Sequence, residues 1–165
     1  MGRDKRNENR KEAVTVLRLD VMSTHAWRAL SLPAQALYPW IKLEWRGAKF
    51  NNNGKLRLSV RQAAECMGCN IKTVMRAFQE LQAKGFIIQT EGACLGTEGM
   101  GKAPAYELTE IVPEGQKGPG KQLYANWSEG HDFPVKMGAT PKPKKTKACS
   151  LKGNTVVPFK GTKAC

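Results

Sequence analysis

Two helix starts and two helix stops are crowded between Ser59 and Gly85, and this spacing constrains the fold more than any other feature of the chain. Ser59 followed by Gln62 reads as a capping box, in which the serine oxygen accepts from a free first-turn amide and the glutamine reaches back to the serine amide. A short helix through Ala63, Ala64 and Met67 then stops at Gly68, the residue best suited to a left-handed terminus. Asn70 caps the next helix, whose Ile71, Val74, Phe78 and Leu81 recur at helical spacing as a buried stripe, and Gly85 ends it near Lys84.

The flanking segments complete a single core. Val14 to Val21 roughly alternates apolar and polar residues, as a short extended segment would, and Ser23 can cap a short helix through Leu30. Ser31-Leu32-Pro33 marks another helix start, because proline wastes no donor in a first turn. Ala34, Leu37, Ile41 and Trp45 form its core face, Pro39 lies inside it, and it is expected to end near Arg46 and Gly47. Asn51, Asn52, Asn53 and Gly54 read as a turn on the tolerance of Asn and Gly for positive φ, and Lys55 to Leu58 as a short strand. After Gly85, Phe86 to Thr90 and Ala105 to Thr109 read as strands around a Gly-rich loop. This order predicts an α+β winged helix-turn-helix over residues 13–112, a three-helix core with a small antiparallel β-hairpin wing. Residues 1–12 are expected to be a disordered basic arm, and 113–165, broken by repeated Gly and Pro, a basic and mostly disordered tail.

Charge narrows the choice of partner. The chain carries 27 Lys and Arg against 14 Asp and Glu, a net +13, which favours polyanions. The excess is shared, with 17 basic and 11 acidic residues in 1–110 and 10 and 3 in 111–165. No apolar run approaches the roughly 18 residues of a membrane span and no secretory leader is visible, so a cytoplasmic, nucleoid-associated protein without membrane contact is expected. Cys66, Cys69, Cys94, Cys149 and Cys165 show no disulfide framework and read as reduced thiols; Cys66 and Cys69 have ligand spacing but lack a second pair, so no metal is expected. Gly96 to Lys102 spells most of a phosphate-binding loop, but Ala103 stands where Ser or Thr would hold magnesium and a strand follows where a helix is required. No nucleotide, no other cofactor and no enzymatic activity are expected, since His25 and His131 are far apart in sequence and no nucleophile–base arrangement can be drawn.

With the stripe of the second helix buried, its other side presents Lys72, Thr73, Arg76, Gln79 and Ala83. These residue types suit a major groove: Arg bonds guanine, Gln pairs with adenine, Thr meets a thymine methyl, and Lys neutralises phosphate. The helix starts at Ser59 and Asn70 offer amides to phosphate, Arg57 and Arg61 lie beside the first of them, and Lys102 is the basic residue of the wing loop.

The stretch AWRALSLPAQALYPWIKLEWRGAKFNNNGKLRLSVRQAAECMGCNIKTVMRAFQELQAKGFI, Ala26 to Ile87, resembles a family of winged helix-turn-helix proteins common in alphaproteobacteria and their mobile elements. NNNGK, LSVRQAAECMGC and TVMRAFQELQAKGFI carry most of the likeness; PAYELTE (Pro104 to Glu110) matches the closing wing strand and HDFPVK (His131 to Lys136) the family's tail. The resemblance spans roughly residues 15 to 135, and the Gly-rich wing departs from it in being longer and less basic than in many relatives. It implies double-stranded DNA binding. Sequence-specific regulation of transcription is the leading expectation, with plasmid or phage replication initiation and an RNA-binding or adaptor role as alternatives, and with homodimerisation left open.

Overall fold

The computed structural model describes residues 14–95 and 101–136. The expected arm at 1–12, residues 96–100 of the loop that imitates a phosphate-binding motif, and the tail at 137–165 lie outside the described residues. The architecture is α+β. Helices α1 (Leu19–Met22), α2 (His25–Arg28), α3 (Leu32–Leu43), α4 (Val60–Met67) and α5 (Ile71–Ala83) precede strands β1 (Ile87–Glu91), β2 (Cys94–Leu95), β3 (Gly101–Lys102) and β4 (Ala105–Leu108). Antiparallel β1 and β4 place Ile87 opposite Leu108 and Gln89 opposite Tyr106, with a bulge between Gln89 and Glu91; β2 and β3 pair antiparallel between them.

The first residues depart from the expected extended segment. Val14, Val16 and Leu19 are exposed, and among the described residues no strand partners them; the chain instead closes one helical turn at α1, where the Asp20 carboxylate accepts from the Val21 amide and Val21 enters the core. The cap of α2 is Thr24 rather than Ser23: its hydroxyl accepts from the Trp27 amide at 3.2 Å. That turn seats Trp27 against Tyr38 and Phe86, three rings packed edge to face with centroids 5.5, 5.7 and 5.6 Å apart.

Helix α3 buries Ala34, Leu37, Tyr38 and Ile41, holds Pro39 within its length and stops at Leu43, short of the expected Arg46. It stops early because the asparagine loop takes over its end: Asn52 donates to the Glu44 carbonyl and accepts from the Arg46 amide, while Asn51 accepts from the Trp45 indole at 3.0 Å. Positive φ, the reason for reading these asparagines as a turn, is taken here by Gly54 and by none of the three. Their side chains do the bonding instead. Asn53 is 2% exposed; its oxygen accepts from the Leu108 amide at 2.8 Å and its amide donates to the Leu108 and Ile111 carbonyls at 2.9 and 2.7 Å. The strand expected over Lys55 to Leu58 reduces to a single bridge between Leu56 and Tyr106, since the chain turns at once into the cap of α4.

The segment after Pro113, expected to trail away as far as 165, is built onto the body as far as Lys136. Tyr124 is buried and stacked on Phe86 at 5.1 Å. The Phe133 amide donates to the Ala83 carbonyl at 2.8 Å, and the Phe133 ring lies 2.8 Å from where a Cβ at Gly85 would fall. Gly85 is thus required twice, for its φ of 75° and for this close approach. Beneath the segment, the Glu110 carboxylate is buried and accepts from both the Tyr38 hydroxyl and the Lys42 ammonium at 2.7 Å.

Replacing Asn53 by alanine leaves the buried Leu108 amide and the Ile111 carbonyl without partners, and the Leu108 carbonyl with only its 3.3 Å bond from the Ile111 amide. Asn53→Ala is expected to destabilise the fold by about 3 kcal/mol in urea denaturation, and Asn53→Asp by at least as much, because a carboxylate would face those carbonyls.

Candidate nucleic-acid interface

Helices α4 and α5 are set by their termini as the spacing predicts. The Ser59 hydroxyl accepts from the Gln62 amide and the Gln62 side chain accepts from the Ser59 amide, both at 3.2 Å. Gly68 turns the chain with φ 61°, and Asn70 caps α5 by accepting from the Lys72 amide at 2.8 Å. The two caps therefore already occupy one first-turn amide of each helix, so anions at these helix starts have fewer free donors than bare termini would give.

What faces outward from α5 depends on what is fixed inward. Val74, Ala77, Phe78 and Leu81 are at most 3% exposed, and Phe78 stacks on Tyr106 of β4 with centroids 5.0 Å apart. Glu80 adds a polar clamp, accepting from the Ser31 amide at 2.8 Å and from Lys84 at 2.9 Å. Burial works against the Glu80 carboxylate, but the Ser31 hydroxyl, which also donates to it, together with Lys84 and the Ser31 amide, outweighs burial and holds its pKa below the ordinary value. The expected stripe needs one correction: Ile71 is 47% exposed. Ile71 is the first residue of the helix, and the buried face is completed instead by Ala77 and Gln82.

The structure brings together part of the expected set. Lys72 and Arg76 are exposed on the open side of α5, with Thr73 and Gln79 half-buried beside them, and Arg61 is exposed in the first turn of α4. Among the described residues no carboxylate pairs with Arg61, Lys72, Arg76 or Lys102. Lys102 is exposed on β3, across from Cys94. Arg57 does not join them as a free cation: its guanidinium binds the Glu91 carboxylate and the Ala103 carbonyl, tying the approach to α4 to both sides of the ribbon. Lys55 is likewise paired, with Glu114 at 2.6 Å. Ser59 and Asn70 serve first as caps.

Three contributors to this surface escape a reading of the sequence. Met75 is 46% exposed and, with Ile71, puts two large apolar groups among the cations of α5. Lys136 closes the far end of the helix, its amide donating to the Gln82 side chain at 3.1 Å and its ammonium to the Gln89 carbonyl at 3.2 Å. The last turn of α5, including Ala83, is thus crossed by the carboxy-terminal segment, while the first two turns stay open. Beyond that anchor, residues 137–165 carry seven lysines and no acidic residue.

Cys66, Cys69 and Cys94 are free thiols, and no group of three or more potential metal ligands occurs among the described residues. No helix among those residues is long and apolar enough to cross a membrane. Comparisons with protein families, with curated proteins and with solved structures find no match.

Burial raises the Tyr106 phenol to about 12 in the fold, against about 10 in an unfolded chain, so the unfolded chain ionises first. Stability is therefore full below about pH 10 and falls as pH rises toward 12. Thermal unfolding followed from pH 8.5 upward by ~0.5-unit steps should show this loss, and Tyr106→Phe, which keeps the stack on Phe78, should lessen it.

Proposed function

We propose that the chain is a winged helix-turn-helix protein that binds double-stranded DNA at a preferred sequence and regulates transcription. Helix α5 enters the major groove and the β1–β4 ribbon stands beside it as the wing. The observation that carries this reading is the open side of α5, where Lys72 and Arg76 project from the first two turns, immediately after a tight turn, with no carboxylate partner among the described residues. Groove-reading helices use their N-terminal residues, so the crossing of the last turn by Phe133 to Lys136 leaves the reading intact.

Roles follow from donor geometry. Arg76 presents a bidentate fork to guanine and Gln79 an amide to adenine, while Lys72 and Arg61 sit where phosphates flank the groove. Lys102 offers a single charge from the ribbon, a modest contribution beside those on α5. Lys136 itself lies against α5 and β1, and the lysines that follow it in the chain, with no acidic residue among them, add sequence-independent attraction to the same duplex.

Selection from a pool of random duplexes tests the reading directly. One enriched motif, bound about 10³-fold or more over bulk DNA, is expected; equal affinity for every duplex would overturn it. On the enriched site Arg76→Ala should cost about 1–3 kcal/mol and relax the preference at one base pair, whereas an equal loss on random DNA would make Arg76 a phosphate contact. Removing residues 137–165 should weaken all duplexes alike and flatten the dependence of log affinity on log salt by about 0.9 for every phosphate those lysines neutralise.

A further inference from the structure

Exposed apolar side chains scattered singly over a surface need no explanation. Ile71 and Met75 are not scattered. They stand one helical turn apart on α5, 47% and 46% exposed, while Val74, Phe78 and Leu81 of the same helix are 0, 3 and 0% exposed. The cations Lys72 and Arg76 follow them directly in the chain, so each turn of the open side offers one apolar and one cationic group.

Resting on the DNA-binding reading above, we infer that Ile71 and Met75 recognise the 5-methyl groups of thymine in the major groove. Phosphate and base edges offer hydrogen-bonding atoms that neither side chain can use; the thymine methyl is the apolar group the major groove presents. The two residues lie about 6 Å apart along the helix axis at roughly 1.5 Å per residue, enough for one helix in the groove to set them on two different base pairs. The preferred site accordingly carries two thymine-bearing pairs close to the base pair read by Arg76. Ile71 is β-branched and stiff, so its thymine is the more strictly required; Met75 is flexible and tolerates a neighbouring register.

Deoxyuridine lacks only the methyl of thymidine and keeps its hydrogen-bonding edge, which makes it the probe. The enriched duplex is resynthesised with deoxyuridine at each thymine in turn, and affinities of the full chain, Ile71→Ala and Met75→Ala are measured on every version. Both positions are exposed and alanine favours helix, so the variants should melt with the parent. The expected result is about a fourfold loss for the parent at two thymines, with each variant insensitive to the methyl at one of them. If the parent binds thymine and deoxyuridine duplexes equally, the inference is wrong while sequence-specific binding stands. If no duplex is preferred at all, the DNA-binding reading falls and takes the inference with it. Variants that change the sedimentation of the free protein, with the thymine-to-deoxyuridine ratio of the parent retained, would assign Ile71 and Met75 to a protein contact and overturn the inference.

Discussion

The rotation of α5 about its own axis decides which side chains this protein offers to a partner. Two contacts of different character set it. Phe78 lies flat on Tyr106 of the ribbon, and Glu80 reaches the entrance of α3 through Ser31. The first contact is apolar and broad, and the second is directional, so a turn of the helix that preserved one would break the other. Buried Val74 and Leu81 add the area that stabilises the seat. Lys72 and Arg76 point outward as a consequence of this seating rather than through contacts of their own.

Around that seat the molecule is closed by polar side chains acting on backbone. Asn53 links the loop after α3 to both groups of Leu108 and to Ile111, and so fixes the ribbon edge against which α4 begins. Arg57 repeats the device a few residues on, spanning the two sides of the ribbon through Glu91 and Ala103. Glu110, held by Tyr38 and Lys42, fastens the chain leaving β4 to α3. A buried carboxylate of this kind is costly to desolvate, so Glu110 depends on having both partners in place. The segment that follows then runs back over Phe86 and Gly85 and reaches the far end of α5 at Lys136. The chain thus enters its lysine-rich residues beyond 136 from a point beside α5.

The parts of this fold legible in the sequence are those governed by neighbours in the chain. The capping box at Ser59 and Gln62, the stop at Gly68, the cap at Asn70 and the ribbon after Gly85 are local rules that tertiary structure does not override. The illegible parts depend on distant partners. Alternation at Val14 to Val21 resembles a strand, but no second strand among the described residues pairs with it, and one helical turn forms instead. Asn51 to Asn53 read as turn formers; their hydrogen bonds go to residues as far away as Val112, which no local pattern reveals. Glycines and prolines between Pro113 and Lys136 read as a loose tail because the aromatic anchors Tyr124 and Phe133 carry no periodicity. In the candidate interface, residue types are readable and pairing is not: Arg57 and Arg61 look alike in the sequence, yet only Arg57 meets the Glu91 carboxylate.

Amide chemical shifts recorded while the protein is titrated with its enriched duplex report contact residue by residue, and so decide whether α5 is the element that meets the groove. The largest shifts are expected at the start of α4, from Ser59 to Arg61, and along α5 from Asn70 to Gln79, with the outer face of α3 from Leu32 to Leu43 unmoved. Shifts centred on α3 or on the amino-terminal turns, with Lys72 to Gln79 silent, would contradict that role for α5.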